Sequence, residues 1–128
     1  MVKRVNEPRR AGTALGRWGE QKAIDYLQEQ GYRLLAQNWR RREGELDLVA
    51  LDGTTLVFLE VKTRRTHTVG EPEESITPRK QRQLTRIAQR FIDEHPALRY
   101  EECRFDVLVI DLRHDPPQVR HWVNAFIP

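Results

Sequence analysis

At 128 residues, with 38% hydrophobic and 32% charged side chains, the chain has the balance of a globular protein built on one hydrophobic core. The net charge of +3 is unevenly spread: residues 1–90 hold 18 of the 22 Lys and Arg against 12 acids, whereas residues 91–128 hold four against seven, and such a basic front suits a polyanionic partner. No apolar run approaches the ~20 residues of a membrane span, the basic opening MVKRVNEPRR lacks a secretory apolar stretch, and the lone Cys103 excludes an internal disulfide, so a cytoplasmic location is expected.

Residues 1–13, interrupted by Pro8 and Gly12, read as a flexible basic arm, and 14–128 as a single domain. A helix is predicted from about Ala14 to Gln30, stopped by Gly31. Tyr32 to Trp39 reads as a short strand leading into Arg40-Arg41-Arg42. A β-hairpin follows, with Leu46 to Leu51 on one arm, Leu56 to Val61 on the other, and Asp52-Gly53 as a two-residue turn. Arg64 to Ile76, with Gly70 and Pro72, reads as a loop. Thr77-Pro78 opens a second helix with an N-cap and a first-turn proline, and Leu84, Ile87, Ala88 and Phe91 form its buried stripe to near His95-Pro96. Strands from Arg104 to Leu112 and from about Val119 to Ala125 flank the Asp115-Pro116-Pro117 turn. The order α-β-β-β-α-β-β predicts an α/β fold, a mixed sheet flanked by helices.

Alternation along the second hairpin arm puts Leu56, Phe58, Glu60 and Lys62 on one face. A carboxylate among large apolar residues is costly unless it is paired or metal-bound. With Asp52-Gly53 as the turn, Asp47 opposes Phe58 and Glu45 opposes Glu60, so Asp47, Glu45, Glu60 and Lys62 share a face. Two carboxylates with an open coordination sphere suit Mg2+ or Mn2+, which can activate water for attack on a phosphodiester. Lys62 would add positive charge beside the scissile phosphate. On the first helix Glu20 is the one charged residue inside the apolar stripe, positioned to face the sheet. An isolated E-x-K at a strand end is more often a solvated pair, and Glu20 or Asp47 alone has equally plain explanations; their coincidence carries the reading.

Arg79, Arg82, Arg86 and Arg90 recur at helical spacing as a basic ridge that could follow a phosphate backbone or simply be solvated. Lys80 falls on the inward side, near the predicted site, and Arg40, Arg41, Arg42 and Arg64 are further phosphate-contact candidates. His67, His95, His114 and His121 lack metal-ligand spacing, and Ser75 and Cys103 lack partners for nucleophilic or zinc chemistry. Trp18, Trp39 and Trp122 are expected in the core or at its edge rather than as stacking platforms.

Gly44-Glu45-Leu46-Asp47-Leu48-Val49-Ala50 with Glu60-Val61-Lys62-Thr63-Arg64 resembles the YraN family of small bacterial proteins. Gly16, Gly19-Glu20, Asn38-x-Arg40, Gly70-x-Pro72, Lys80, Arg104-Phe105-Asp106-Val107 and Asn124-Ala125-Phe126 extend the likeness from Gly16 to Phe126. Leu46 and Val49 stand where isoleucine is usual. That family is grouped with the restriction-endonuclease-like PD-(D/E)xK superfamily and is similar to archaeal Holliday-junction resolvases; Leu46 replaces the motif's proline. The resemblance implies an Mg2+- or Mn2+-dependent endonuclease on DNA, branched or junction DNA included. Asp47, Glu60 and the Val61 carbonyl would hold the metal, Lys62 would be the signature lysine, and Glu20 the first-helix acid. A homodimer, or partner proteins in DNA processing, would fit that activity. The alternatives are a non-catalytic nucleic-acid-binding module and an interaction subunit of a DNA-processing assembly.

Overall fold

The computed structural model describes residues 14–65 and 76–127. The basic arm over 1–13 and most of the expected loop, with Gly70 and Pro72, lie outside the described residues. The elements are α1 (Ala14–Glu29), β1 (Arg33–Arg41), β2 (Gly44–Asp52), β3 (Thr55–Arg64), α2 (Pro78–Glu94), β4 (Glu102–Asp111) and β5 (Gln118–Phe126). The expected order holds; β1 runs on to Arg41, past the Trp39 at which the sequence pattern stops.

Helix α1 buries Gly19, Ala23, Ile24 and Leu27 along one face and is closed where the Tyr32 N–H donates to the Leu27 carbonyl at 2.9 Å. Thr77 caps α2, its hydroxyl accepting the Lys80 N–H at 3.1 Å, with Pro78 in the first turn. Leu84, Ile87, Ala88 and Phe91 are its buried stripe, as expected.

The five strands follow chain order across the sheet, β1-β2-β3-β4-β5. All neighbours are antiparallel except β3 and β4, which are parallel and joined through α2. The helices pack on opposite faces. Under α1 lie Leu48, Ala50, Val57, Leu59, Leu108 and Ile110; under α2 lie Trp39, Leu46, Val49, Phe58, Phe105 and Val107. Phe91 meets Trp39 and Phe58 edge-on at centroid distances of 5.1 and 6.0 Å. Each such buried ring contributes about 1.5–3 kcal/mol from area alone. No helix among the described residues is long and apolar enough to cross a membrane.

The hairpin register corrects the sequence-based one. Asp52 pairs with Thr55 and Leu48 with Leu59, so the turn is Gly53-Thr54 rather than Asp52-Gly53. Gly53 has φ +59, whereas Asp52 and Thr54 have ordinary negative φ. A glycine-first turn needs left-handed backbone only at its first central residue, while an Asp52-Gly53 turn of type I′ would need it at both. The shift is by two residues, so every side chain keeps its face. Asp47 then falls across from Glu60 instead of Phe58.

Both outer strands are irregular. In β1 the register shifts between Leu34 and Ala36, and Asn38 adopts φ +50. In β5 a bulge lies opposite the Phe105–Val107 step, and Asn124 adopts φ +53.

Candidate metal centre and nucleic-acid surface

The β2–β3 ladder pairs residues from Asp52/Thr55 to Leu48/Leu59 and stops there. Beyond that point the Asp47 carboxylate takes over: its Oδ2 accepts the Val61 N–H at 2.8 Å. β1 breaks at the same level, its pairing passing from Gln37–Leu48 to Trp39–Leu46 over Asn38 and Asp47. The strands thus separate where Asp47 and Glu60 stand, while β3 stays paired with β4 as far as Arg64. The left-handed Asn38 turns its amide toward α1, where Nδ2 donates to Glu20 Oε1 at 3.4 Å. Asn38 is a site residue to which only the family likeness pointed; its backbone conformation is the physical signal, since Asn tolerates that region best among non-glycine residues.

Electrostatics tie the acids together. Burial, then the neighbouring Glu60 charge, raise the Asp47 carboxyl to about 8; Glu20 and Glu45 push the same way, and the Val61 N–H opposes them. Glu60 is partly buried, and the only cation within ion-pair distance among the described residues is Lys80, Nζ to Oε1 3.7 Å. Lys80 thus reaches the site from the first turn of α2, as its inward position on the helix suggested. Lys62 lies two residues beyond Glu60 on the same face, opposite Val109 of β4.

The donor chemistry here fits a divalent cation of one kind. Among the described residues no group of three His, Cys, Asp or Glu side chains is placed to hold a metal. Asp47 and Glu60 with the Val61 carbonyl leave most of an octahedron to water and phosphate, the incomplete oxygen set in which Mg2+ or Mn2+ is commonly held. Burial first, and the Glu60 charge second, hold a proton on Asp47, and a bound cation would offset both.

The basic surface divides. Arg79, Arg82 and Arg86 are exposed, and Arg82 and Arg86 line an open cleft of about 370 Å³ whose other wall includes Ile127, just past β5. Arg90, expected to continue the ridge, is instead tied to Glu43 at 3.2 Å and Glu94 at 2.6 Å. Arg41 packs over Trp39 and pairs with Glu94 at 3.0 Å; in the Arg40-Arg41-Arg42 run only Arg42 is exposed. Arg64 is buried beside Asp111, a strand-end residue rather than a surface contact.

Of the tryptophans, Trp39 is fully buried in the core, one of the two expected positions, while Trp18 and Trp122 lie at its edge, 38% and 39% exposed. The histidines are not all ordinary. His121 Nε2 contacts Asp106 Oδ2 at 2.7 Å and its Nδ1 meets the Tyr26 hydroxyl at 3.1 Å. Asp106 also accepts from Arg104 Nε at 3.1 Å and from the Asn124 N–H at 3.1 Å. This network lies on the α1 face, holds the β5 bulge in place and explains why Arg104-x-Asp106 and Asn124 belong to one pattern.

The model of the uncharacterised protein family UPF0102 matches residues 19–110, which span Glu20, Asp47, Glu60, Lys62 and Lys80. The chain belongs to the UPF0102 family. A UPF0102 protein of Acidothermus cellulolyticus is 46% identical over 126 residues, covering 91% of this chain and 96% of the relative. UPF0102 relatives from Geobacter sulfurreducens and Pseudomonas fluorescens are each 44% identical, covering 95% and 93% of this chain and 95% and 98% of their own lengths. Family membership thus agrees with the YraN likeness.

Proposed function

We propose that this UPF0102 protein is an Mg2+- or Mn2+-dependent endonuclease of the PD-(D/E)xK type that hydrolyses phosphodiester bonds in DNA. The observation that carries the reading is the break in the β2–β3 ladder, where the Asp47 carboxylate, bonded to the Val61 N–H, stands beside Glu60 with Lys62 next on the same face. A divalent cation there would polarise the scissile phosphate and favour ionisation of the attacking water. Asp47 and Glu60 would hold it with the Val61 carbonyl. Glu20, oriented by Asn38, adds negative charge on the α1 side and is suited to hold a water of the coordination shell. Lys62 would stabilise the charge that builds on the phosphoryl oxygens as the water oxygen adds to phosphorus and the P–O ester bond breaks. Exposed Arg79, Arg82 and Arg86 on α2, with Lys80 at the site itself, would hold the backbone by its phosphates.

The test is cleavage of labelled junction, flap, duplex and single-stranded DNA with Mg2+ or Mn2+, wild type against Glu60→Ala. Cleavage by wild type, lost by at least a hundredfold in a folded Glu60→Ala variant, supports the assignment; metal-dependent cleavage retained in the variant sinks it. One observation favours a second reading, a nucleic-acid-binding module without turnover: Lys80 already supplies Glu60 with a cation. Tight DNA binding that neither needs metal nor leads to cleavage would select it.

A further inference from the structure

The strand register carries the candidate site across the sheet to its edge. Glu60 pairs with Val107, and Val107 with Trp122. Directly paired residues share a face. The neighbouring residue His121 turns to Asp106 and Tyr26 on the α1 side, so Trp122 faces the α2 side, where Lys80 meets Glu60. The next row repeats the pattern with charge: Lys62 pairs with Val109, and Val109 with Arg120. Trp122 is therefore two strands from Glu60, roughly 10 Å across the sheet, and is 39% exposed on an outer strand.

We propose that Trp122 is a stacking platform for an unpaired base next to the scissile phosphate, so that the preferred substrate presents a single-stranded segment at the site. This rests on the nuclease reading above. Three of the exposed large hydrophobic residues, Trp122, Val123 and Ile127, fall together on and just past β5, and clustered rather than scattered exposure marks a surface for a partner. The surroundings select nucleic acid as that partner: Lys62 lies one row away on the same face, Arg120 in that row is held by Asp111 at 3.9 Å, and Arg82 and Arg86 border a cleft shared with Ile127, just past β5. Basic side chains that track a backbone, beside an aromatic ring that accepts any base, are how single strands are held without sequence preference. A base-paired neighbour would keep its ring in the duplex stack, whereas an unpaired one is free to swing onto the indole.

The experiment compares Trp122→Ala and Trp122→Phe with wild type for binding to a labelled oligothymidylate and to a blunt duplex of the same length, in EDTA. Trp122→Ala should bind the oligothymidylate roughly 5- to 150-fold more weakly, with duplex affinity changed less than about threefold and most of the single-strand affinity kept in Trp122→Phe. In a Trp18→Phe background, which leaves the buried Trp39 as the only other indole, oligothymidylate should quench the fluorescence, and the quenching should vanish in the Trp122→Phe double variant. Equal losses on both probes, or none, would overturn the platform. So would unchanged oligothymidylate affinity with lost self-association, which would make Trp122 a contact between copies of this chain. Duplex binding or cleavage by wild type separates that failure from failure of the nuclease reading; wild type that binds neither probe overturns both.

Discussion

The Asp47 carboxyl makes the stability of the metal-free protein depend on pH in an unusual direction. Its pKa is raised from the ordinary 3.8 to about 8 in the folded chain, by burial first and by Glu60 second. Between those values the folded state keeps a proton that the unfolded chain has released. Stability is therefore greatest near the lower value and falls as pH rises toward the upper one. Each pH unit within the window costs about 1.4 kcal/mol, so the full span of about four units costs on the order of 5 kcal/mol, a large part of a small domain's total. Asp111 works in the opposite sense outside this window: Arg113 holds its carboxyl low, so its contribution is present above ordinary carboxylate pKa values and lost in stronger acid. Urea unfolding at pH 5 and pH 8 in EDTA, on wild type and Asp47→Asn, isolates the effect. Wild type should be several kcal/mol less stable at pH 8, and Asp47→Asn should lose most of that difference. Mg2+ or Mn2+ at a hundred times its Kd should restore about 2.7 kcal/mol to wild type at pH 8, and none to the variant. A flat wild-type profile, or an equal slope in both proteins, would refute the reasoning.

Two further outcomes are expected. Asp106→Ala should cost about 3–5 kcal/mol in urea unfolding, because it strands Arg104 and His121 in a buried site, whereas Glu94→Ala, removing half-exposed pairs with Arg41 and Arg90, should cost under about 1 kcal/mol. If the basic ridge follows a phosphate backbone, Arg82→Ala and Arg86→Ala should each lower the slope of log affinity against log salt by about 1 on duplex DNA, with Arg90→Ala changing it less, since Glu43 and Glu94 already neutralise Arg90; equal slopes for all three variants would remove the ridge from the interface.

The parts of the architecture written in local pattern were legible in the sequence. Thr77-Pro78 announces α2 because cap chemistry is short-range, and the apolar spacing of Leu84, Ile87 and Phe91 fixes its buried side. Glu60 and Lys62 were placed on one face by strand periodicity alone, and that placement survives the corrected turn because the error was an even number of residues. What failed was decided by distant partners or by single backbone torsions. The Asp52-Gly53 turn expected from the sequence gives way to Gly53-Thr54, a choice made by the cross-strand pairing and by a single left-handed torsion at Gly53. Arg90 looked like its exposed neighbours until Glu43, brought close by the β1–β2 turn, reached it. Asp106 left a trace, an Arg-x-Asp pair within an otherwise apolar strand, but its closure through His121 and the Asn124 N–H depends on a bulge that periodicity does not reveal.

The two left-handed asparagines bear on how such a sheet guards its edges. An open five-stranded sheet has two rims of backbone N–H and C=O groups, each able to recruit a strand from another molecule. Here each rim is interrupted within its own length, β1 at Leu34–Ala36 and Asn38, β5 at its bulge and Asn124. A straight strand laid against either rim would meet a few in-register bonds and then a kink that turns the remainder out of reach. The asparagine that orients Glu20 thus also helps to keep one rim from growing into a longer sheet. Replacing Asn38 or Asn124 with a β-branched residue would trade a left-handed kink for a straighter rim and should raise the tendency to aggregate, independently of any effect at Asp47 and Glu60.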